Sequence, residues 1–145
     1  MQALVFVDTS ALVGKFLEGD EHHARANEVM RRLLREGRQF VTTDYVFDEV
    51  VTRVRGRADH GSAVKAGEGI LLSEVIDLVD VDPMLRGEAW KLFSKYRDQR
   101  LSFTDCTSFA VMRKYGIREA FTFDGDFAKV GFGAVPRTRR KGDQT

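Results

Sequence analysis

One cysteine, Cys106, is too few for a disulfide framework within the chain, and its apolar neighbours predict a small core residue in a reducing cytosol. The three histidines, His22, His23 and His60, are too few and too badly spaced for a zinc motif such as H-E-x-x-H, and they are expected at the surface. No G-x-S-x-G elbow and no G-x-x-x-x-G-K-[ST] loop occurs, and the Gly131-Phe132-Gly133 pair is too weak a signal for nucleotide binding. No run approaches the roughly 20 apolar residues of a membrane span. The stretch Met1 to Val13 is apolar, but it lacks a basic start and Asp8 interrupts it, which argues against a signal peptide. A charge excess of one sign is also missing: 23 Lys and Arg face 22 Asp and Glu, for a net +1. That total does not point to a nucleic-acid partner, so the distribution has to be read instead.

Basic residues cluster at Arg31, Arg32, Arg35 and Arg38, at Arg53, Arg55 and Arg57, and at Arg137, Arg139, Arg140 and Lys141. Solvated helix faces account for the first two clusters and a frayed tail for the third, as well as any ligand does.

With 145 residues, 43% hydrophobic and 31% charged, the composition is that of one globular domain able to bury its own core. Leu4-Val5-Phe6-Val7 is a continuous apolar run, expected of a strand buried on both faces. The 3.6-residue period places Ala26, Val29, Met30, Leu33 and Leu34 on one stripe of a helix from Asp20 to Gly37, with Gly37 as C-cap. Phe40-Val41-Thr42 predicts a second strand. Val46, Phe47, Val50, Val51 and Val54 predict a helix from about Thr43 to Arg55, and Gly56, Asp59, His60 and Gly61 break the pattern. A helix over about Ser62 to Leu72, a strand at Val75 to Val79, and a helix opened by Asp82-Pro83 follow. That last helix is expected to carry Ala89, Leu92, Phe93 and Tyr96 inward. Phe103 to Tyr115 reads as helix ended by Gly116, Ala120 to Phe123 as a fourth strand, and Phe132 to Val135 as a fifth. Alternating strands and helices predict an α/β domain with a mostly parallel central sheet of four to five strands and helices on both faces. The domain is expected over residues 1–136, with a basic tail at 137–145.

In such a sheet the functional crevice lies beyond the carboxyl ends of the strands. Asp8 follows the first strand, Asp124 follows the fourth, Asp105 begins the helix before it, and Glu49 lies on the helix after the second strand. Each has a structural explanation. Asp8 suits a helix N-cap, although Asp8-Thr9-Ser10 offers three capping side chains where one is needed. Asp105 follows Ser102 at capping-box spacing, yet shares its helix stripe with Phe109 and Met112, where a carboxylate is costly unless paired or metal-bound. Asp48 and Glu49 flank the valine stripe equally, and Arg53 is placed to pair with Glu49. Asp124-Gly125 is a turn signal that suits even a hairpin, and Asp126 is a second acid at the same place. Carboxylates without His or Cys partners are hard oxygen ligands that suit Mg²⁺ or Mn²⁺ rather than zinc.

The apolar run before Asp8-Thr9-Ser10-Ala11-Leu12, then Thr42-Thr43-Asp44-Tyr45-Val46-Phe47-Asp48-Glu49, Ser102-Phe103-Thr104-Asp105-Cys106 and Phe121-Thr122-Phe123-Asp124-Gly125-Asp126-Phe127, stand in one order. That order resembles the PIN-domain nucleases, most closely the VapC-like toxins of toxin–antitoxin pairs, over about residues 3 to 135. The resemblance implies a metal-dependent ribonuclease whose site is formed by Asp8, Glu49, Asp105 and Asp124, with Asp126 as a further candidate ligand. It also implies supporting hydroxyls at Thr9, Ser10 and Thr104, a Mg²⁺ or Mn²⁺ cofactor, an RNA substrate, an antitoxin partner and a homodimer; the lone cysteine and the lack of a long apolar run predict a cytoplasmic location without membrane contact. The helix from Asp20 to Gly37 and the one carrying Val50, Val51 and Val54 are candidate partner surfaces, although core packing explains their stripes equally well. Two rival readings remain. A haloacid-dehalogenase-type phosphatase also carries an Asp after the first strand, but it resembles D-x-D-x-T, and here Ser10 stands at the second Asp. A non-catalytic RNA- or protein-binding module of the same fold would need no metal.

Overall fold

The computed structural model describes residues 3–137, so the expected basic tail lies outside them apart from Arg137. Five strands form one parallel sheet in the order β3-β2-β1-β4-β5: β1 Leu4–Val7, β2 Gln39–Thr43, β3 Ile76–Val79, β4 Glu119–Phe121 and β5 Gly133–Val135. The helices between them are α1 Thr9–Phe16, α2 His23–Arg35, α3 Asp44–Arg57, α4 His60–Leu71, α5 Pro83–Lys95, α6 Phe103–Tyr115 and α7 Asp126–Lys129. From β1 the chain steps outward to β2 and β3, then returns to build β4 and β5 on the other side of β1. Right-handed crossovers in opposite directions put helices on opposite faces, and the strand order reverses between β1 and β4.

The central strand is apolar along its length because both its faces are covered: Val5, Phe6 and Val7 are fully buried. Phe40, Phe109, Phe121 and Phe127 join Phe6 among the largest buried side chains, each contributing about 1.5–3 kcal/mol of transfer free energy. Phe127 packs edge-on to Phe109 at 5.0 Å and against Phe6 at 6.3 Å, which ties the short α7 to β1 and α6. Helix ends follow local chemistry. Thr43, Asp59, Asp82 and Ser102 each cap the following helix with a side-chain oxygen, and Gly116 takes the left-handed conformation (φ 65°) that ends α6.

Several expectations need correction. Helix α3 passes through Gly56 and stops at Ala58; a single exposed glycine costs only about 1 kcal/mol, less than the break requires. Phe93 is 41% exposed rather than inward, because Leu85, Ala89 and Leu92 already fill the one stripe of α5 that faces the core. Arg38 is no solvated helix residue: it is 5% exposed and binds Glu119 Oε1 at 2.6 Å. His22 and His23 are half-buried, His23 Nδ1 lying 2.8 Å from the Gly14 carbonyl, and only His60 is exposed. Asp124-Gly125 closes no hairpin, since β5 pairs parallel to β4 with α7 between them. The stripes of α2 (Ala26, Val29, Met30, Leu33) and α3 (Val46, Val50, Val54) lie in the core, so they do not serve as open partner surfaces.

Candidate active site

The reversal of strand order brings the carboxyl ends of β1 and β4 side by side, and a cavity of about 230 Å³ opens there. Asp8, Thr9, Ser10, Glu49, Asp105, Asp124 and Asp126 line it, together with Ser102, Arg53 and Arg100. Seven of the eight residues singled out in the sequence therefore meet in one place. Thr104 is not among the lining residues; its carbonyl accepts hydrogen bonds from Thr107 and Ser108 instead.

Asp8 stands at the N-cap position of α1 without using its side chain as a cap. Its Oδ2 accepts hydrogen bonds from Ser10 Oγ at 2.9 Å and Thr122 Oγ1 at 2.8 Å. The same two hydroxyls accept from the loop after β4: Phe123 N–H donates to Ser10 and Asp124 N–H to Thr122, both at 2.9 Å. Two hydroxyls thus fix the carboxylate after β1 relative to the backbone that carries the carboxylate after β4. Thr122 was not singled out as a site residue in the sequence; its signal is the Thr-x-Asp spacing, legible only once β1 and β4 are known to be neighbours.

Asp105 does two things at once. Its Oδ2 accepts from Ser102 N–H and its own N–H donates to Ser102 Oγ, both at 3.0 Å, which completes the capping box. The carboxylate also faces Asp124 and Asp126, and one oxygen from each of these three lies within 4.8 Å of the others. Asp126 N–H donates to Asp124 Oδ1 at 3.0 Å, and Lys129 Nζ lies 3.6 Å from Asp126 Oδ1. Glu49 reaches the cavity from α3 and is 3.5 Å from Arg53 Nη2, whereas Asp48 is exposed and lies outside it.

The electrostatics are those of crowded like charges. Burial pushes the Asp8 carboxyl above its ordinary value, and the Asp124 charge adds to this against the pull of Thr122 and Ser10. Burial, with the charges of Asp8 and Asp124, pushes Asp105 up to about 7. Asp126 is raised by burial and by Asp124. The Cys106 thiol beside Asp105 is pushed up to about 11 by burial and that charge, so it stays protonated. Thr9 Oγ1, buried beside the acids, has no hydrogen-bond partner. Converging hard oxygens, raised carboxyl pKa values and an unpartnered hydroxyl are a donor set that fits a divalent cation of the Mg²⁺ or Mn²⁺ type.

Comparison with known proteins agrees with this fold. The family described as PIN domain matches residues 5–133. The chain is 37% identical over 129 residues to the 23S rRNA-specific endonuclease VapC20 of Mycobacterium tuberculosis, covering 89% of this chain and 95% of that one. It is 30% identical over 135 residues to a VapC ribonuclease of Aquifex aeolicus, covering 89% and 93%. The crystal structure of the mycobacterial protein, described as a sarcin–ricin-loop-cleaving toxin, superposes with a TM-score of 0.79 over 88% of this chain and 95% of that one. A VapBC2 structure from Rickettsia felis, bound to a promoter DNA fragment, shares the fold at a TM-score of 0.63 and 10% identity, covering 90% and 96%.

Proposed function

The chain belongs to the PIN-domain family, and from that premise we propose that it is a metal-dependent endoribonuclease, the toxin of a toxin–antitoxin pair, acting at the Asp8–Asp105–Asp124 cavity. The observation that carries this reading is the convergence of Asp8, Glu49, Asp105, Asp124 and Asp126, from four separate stretches of chain, on one point at the carboxyl end of the sheet, with too few cationic side chains to match all of them. Asp8, Asp105 and Asp124 are the metal ligands of this reading, with Glu49 and Asp126 completing the set. Mg²⁺ or Mn²⁺ bound there supplies Lewis acidity at a phosphoryl oxygen and lowers the pKa of a bound water.

This chain's own residues do the positioning. Ser10 and Thr122 occupy one oxygen of Asp8 and so orient the other. Ser102 restrains Asp105 in the same way through the capping box. Oriented carboxylates that do not have to reorganise are the form of electrostatic assistance that a phosphodiester transition state rewards. Arg53 and Arg100 at the rim face the phosphate backbone of the RNA. The mycobacterial relative's target supports a structured ribosomal RNA loop as the substrate, the sarcin–ricin loop being the first to try.

The partners of this reading are an antitoxin and a second copy of the chain, in the cytoplasm; no helix among the described residues is long and apolar enough to cross a membrane. Support for the homodimer comes from α5, where Trp90 (58% exposed) stacks on Phe93 at 5.6 Å. Lys91 and Glu88 pair at 3.2 Å on the same helix, so the face carries both signs of charge and is suited to meet its own copy about a two-fold axis.

The test is cleavage of a sarcin–ricin-loop oligonucleotide by wild type and Asp8→Asn, with Mg²⁺, Mn²⁺ or EDTA. Cutting by wild type alone, lost in EDTA, is the expected result. Equal cutting by both proteins, or cutting in EDTA, contradicts the reading.

A further inference from the structure

Beside the acidic cavity lies a second one of about 390 Å³, within the size of clefts that take small ligands. It shares Ser10, Arg53 and Asp124 with the acidic cavity, so the two adjoin. Its character is different. Arg53 and Arg57, one turn apart on α3, both line it. Across from them the His22 ring lies parallel to Phe123, with ring centroids 4.2 Å apart and an interplanar angle of 0°.

Phe123 sits between Thr122 and Asp124, and its N–H donates to Ser10 Oγ, so the stack is rigidly tied to the carboxylate after β4. The His22 side chain is 37% exposed and its backbone N–H donates to Asp20 Oδ2 at 3.0 Å, which holds the ring over Phe123. Besides Asp124, which belongs to the acidic cavity, two acids line the groove and have to be accounted for. Asp20 is already matched, since Arg57 Nη1 holds its Oδ1 at 2.7 Å. Glu21, at 3.4 Å from His22 Nε2, has a side chain 83% exposed and free to swing into solvent. A guanidinium has five N–H donors, and the Arg57 side chain is 48% exposed, so it can hold Asp20 and still present donors to a ligand.

We propose that this groove is the subsite for the nucleotide next to the scissile phosphate, its base stacked on the His22–Phe123 pair and its phosphate held by Arg53 and Arg57. The inference rests on the ribonuclease reading and adds where the flanking nucleotide lies. An aromatic platform with cations one turn apart is the combination that unpaired RNA bases and their phosphates take. It also explains why a chain with net charge +1 binds RNA: the cations are few but placed beside the reacting centre.

The experiment measures binding of a labelled sarcin–ricin-loop oligonucleotide to full-length Asp105→Asn protein by anisotropy across a salt series. Added His22→Ala is expected to weaken binding about tenfold, and His22→Phe to restore it. Added Arg57→Gln is expected to weaken binding and lower the slope of log affinity against log salt by about 0.7, one phosphate contact, while Arg57→Lys keeps the slope. Loss of thermal stability with the salt slope at its parental value marks a structural role and overturns the inference. So does unchanged affinity in both variants. If wild type neither binds nor cuts the oligonucleotide, the ribonuclease reading on this substrate falls first, and the subsite with it.

Discussion

The two ends of the sheet bury charge in opposite ways. At the amino end, Arg38, just before β2, meets Glu119 at the start of β4 at 2.6 Å. At the carboxyl end, Asp8, Asp105, Asp124 and Asp126 face one another, and the one Lys or Arg within ion-pair distance of any of them among the described residues is Lys129, near Asp126. A buried charge is costly wherever it sits, and at the amino end the chain supplies its own counter-ion. At the carboxyl end burial and neighbouring like charges raise the carboxyl pKa values of Asp8 and Asp105 instead. Burial alone does not distinguish a structural charge from a functional one; whether the partner is in the chain does.

The sharpest break of this comparison is in activity. Asp105→Asn should reduce cleavage below detection while the capping box keeps its amide oxygen as acceptor, so circular dichroism should be unchanged. Surviving activity would remove Asp105 from the site. Next in size, Arg38→Met should destabilise the fold by about 3–5 kcal/mol, because it strands Glu119 at the sheet edge, and denaturant unfolding would read the loss. A loss under about 1 kcal/mol would show that Glu119, a third exposed, is adequately solvated alone.

Thr122→Val tests the hydroxyl that joins the two strand ends. Loss of a group that orients a ligand costs about 10–100-fold in metal affinity or activity, so the expected outcome is a weaker enzyme rather than a dead one. Smallest is the pH effect on the metal-free protein. Because the folded-state pKa values of Asp8 and Asp105 lie above their unfolded ones, their contribution is fully present below about pH 4 and lost as pH rises toward the value of about 7 for Asp105. Metal-free wild type should therefore lose stability across that window, and Asp105→Asn should lose less. Equal slopes in thermal scans would contradict the assigned cause.

Much of this was legible in the residues. Strand β1 and helix α6 match their expected bounds because a doubly buried strand and a helix with capping box and terminal glycine are written in local sequence. Asp8, Glu49, Asp105, Asp124 and Asp126 were marked by the resemblance, and periodicity alone left Glu49 and Asp48 equal. The misses share one physical cause. Phe93, Arg38, the hairpin option at Asp124-Gly125 and the role of Thr122 all depend on which elements become neighbours, and local periodicity carries no record of that. The bond from Thr122 to Asp8 spans 114 residues, and no window along the chain contains both.

The central claim is that the carboxyl end of the sheet is completed by a divalent cation and the amino end is not. The direct measurement is the thermal midpoint of wild type, Asp105→Asn and Arg38→Met, each with Mn²⁺ and with EDTA. Mn²⁺ is predicted to raise the midpoint of wild type and Arg38→Met and to leave Asp105→Asn unmoved. No shift in wild type, or an equal shift in Asp105→Asn, would contradict it.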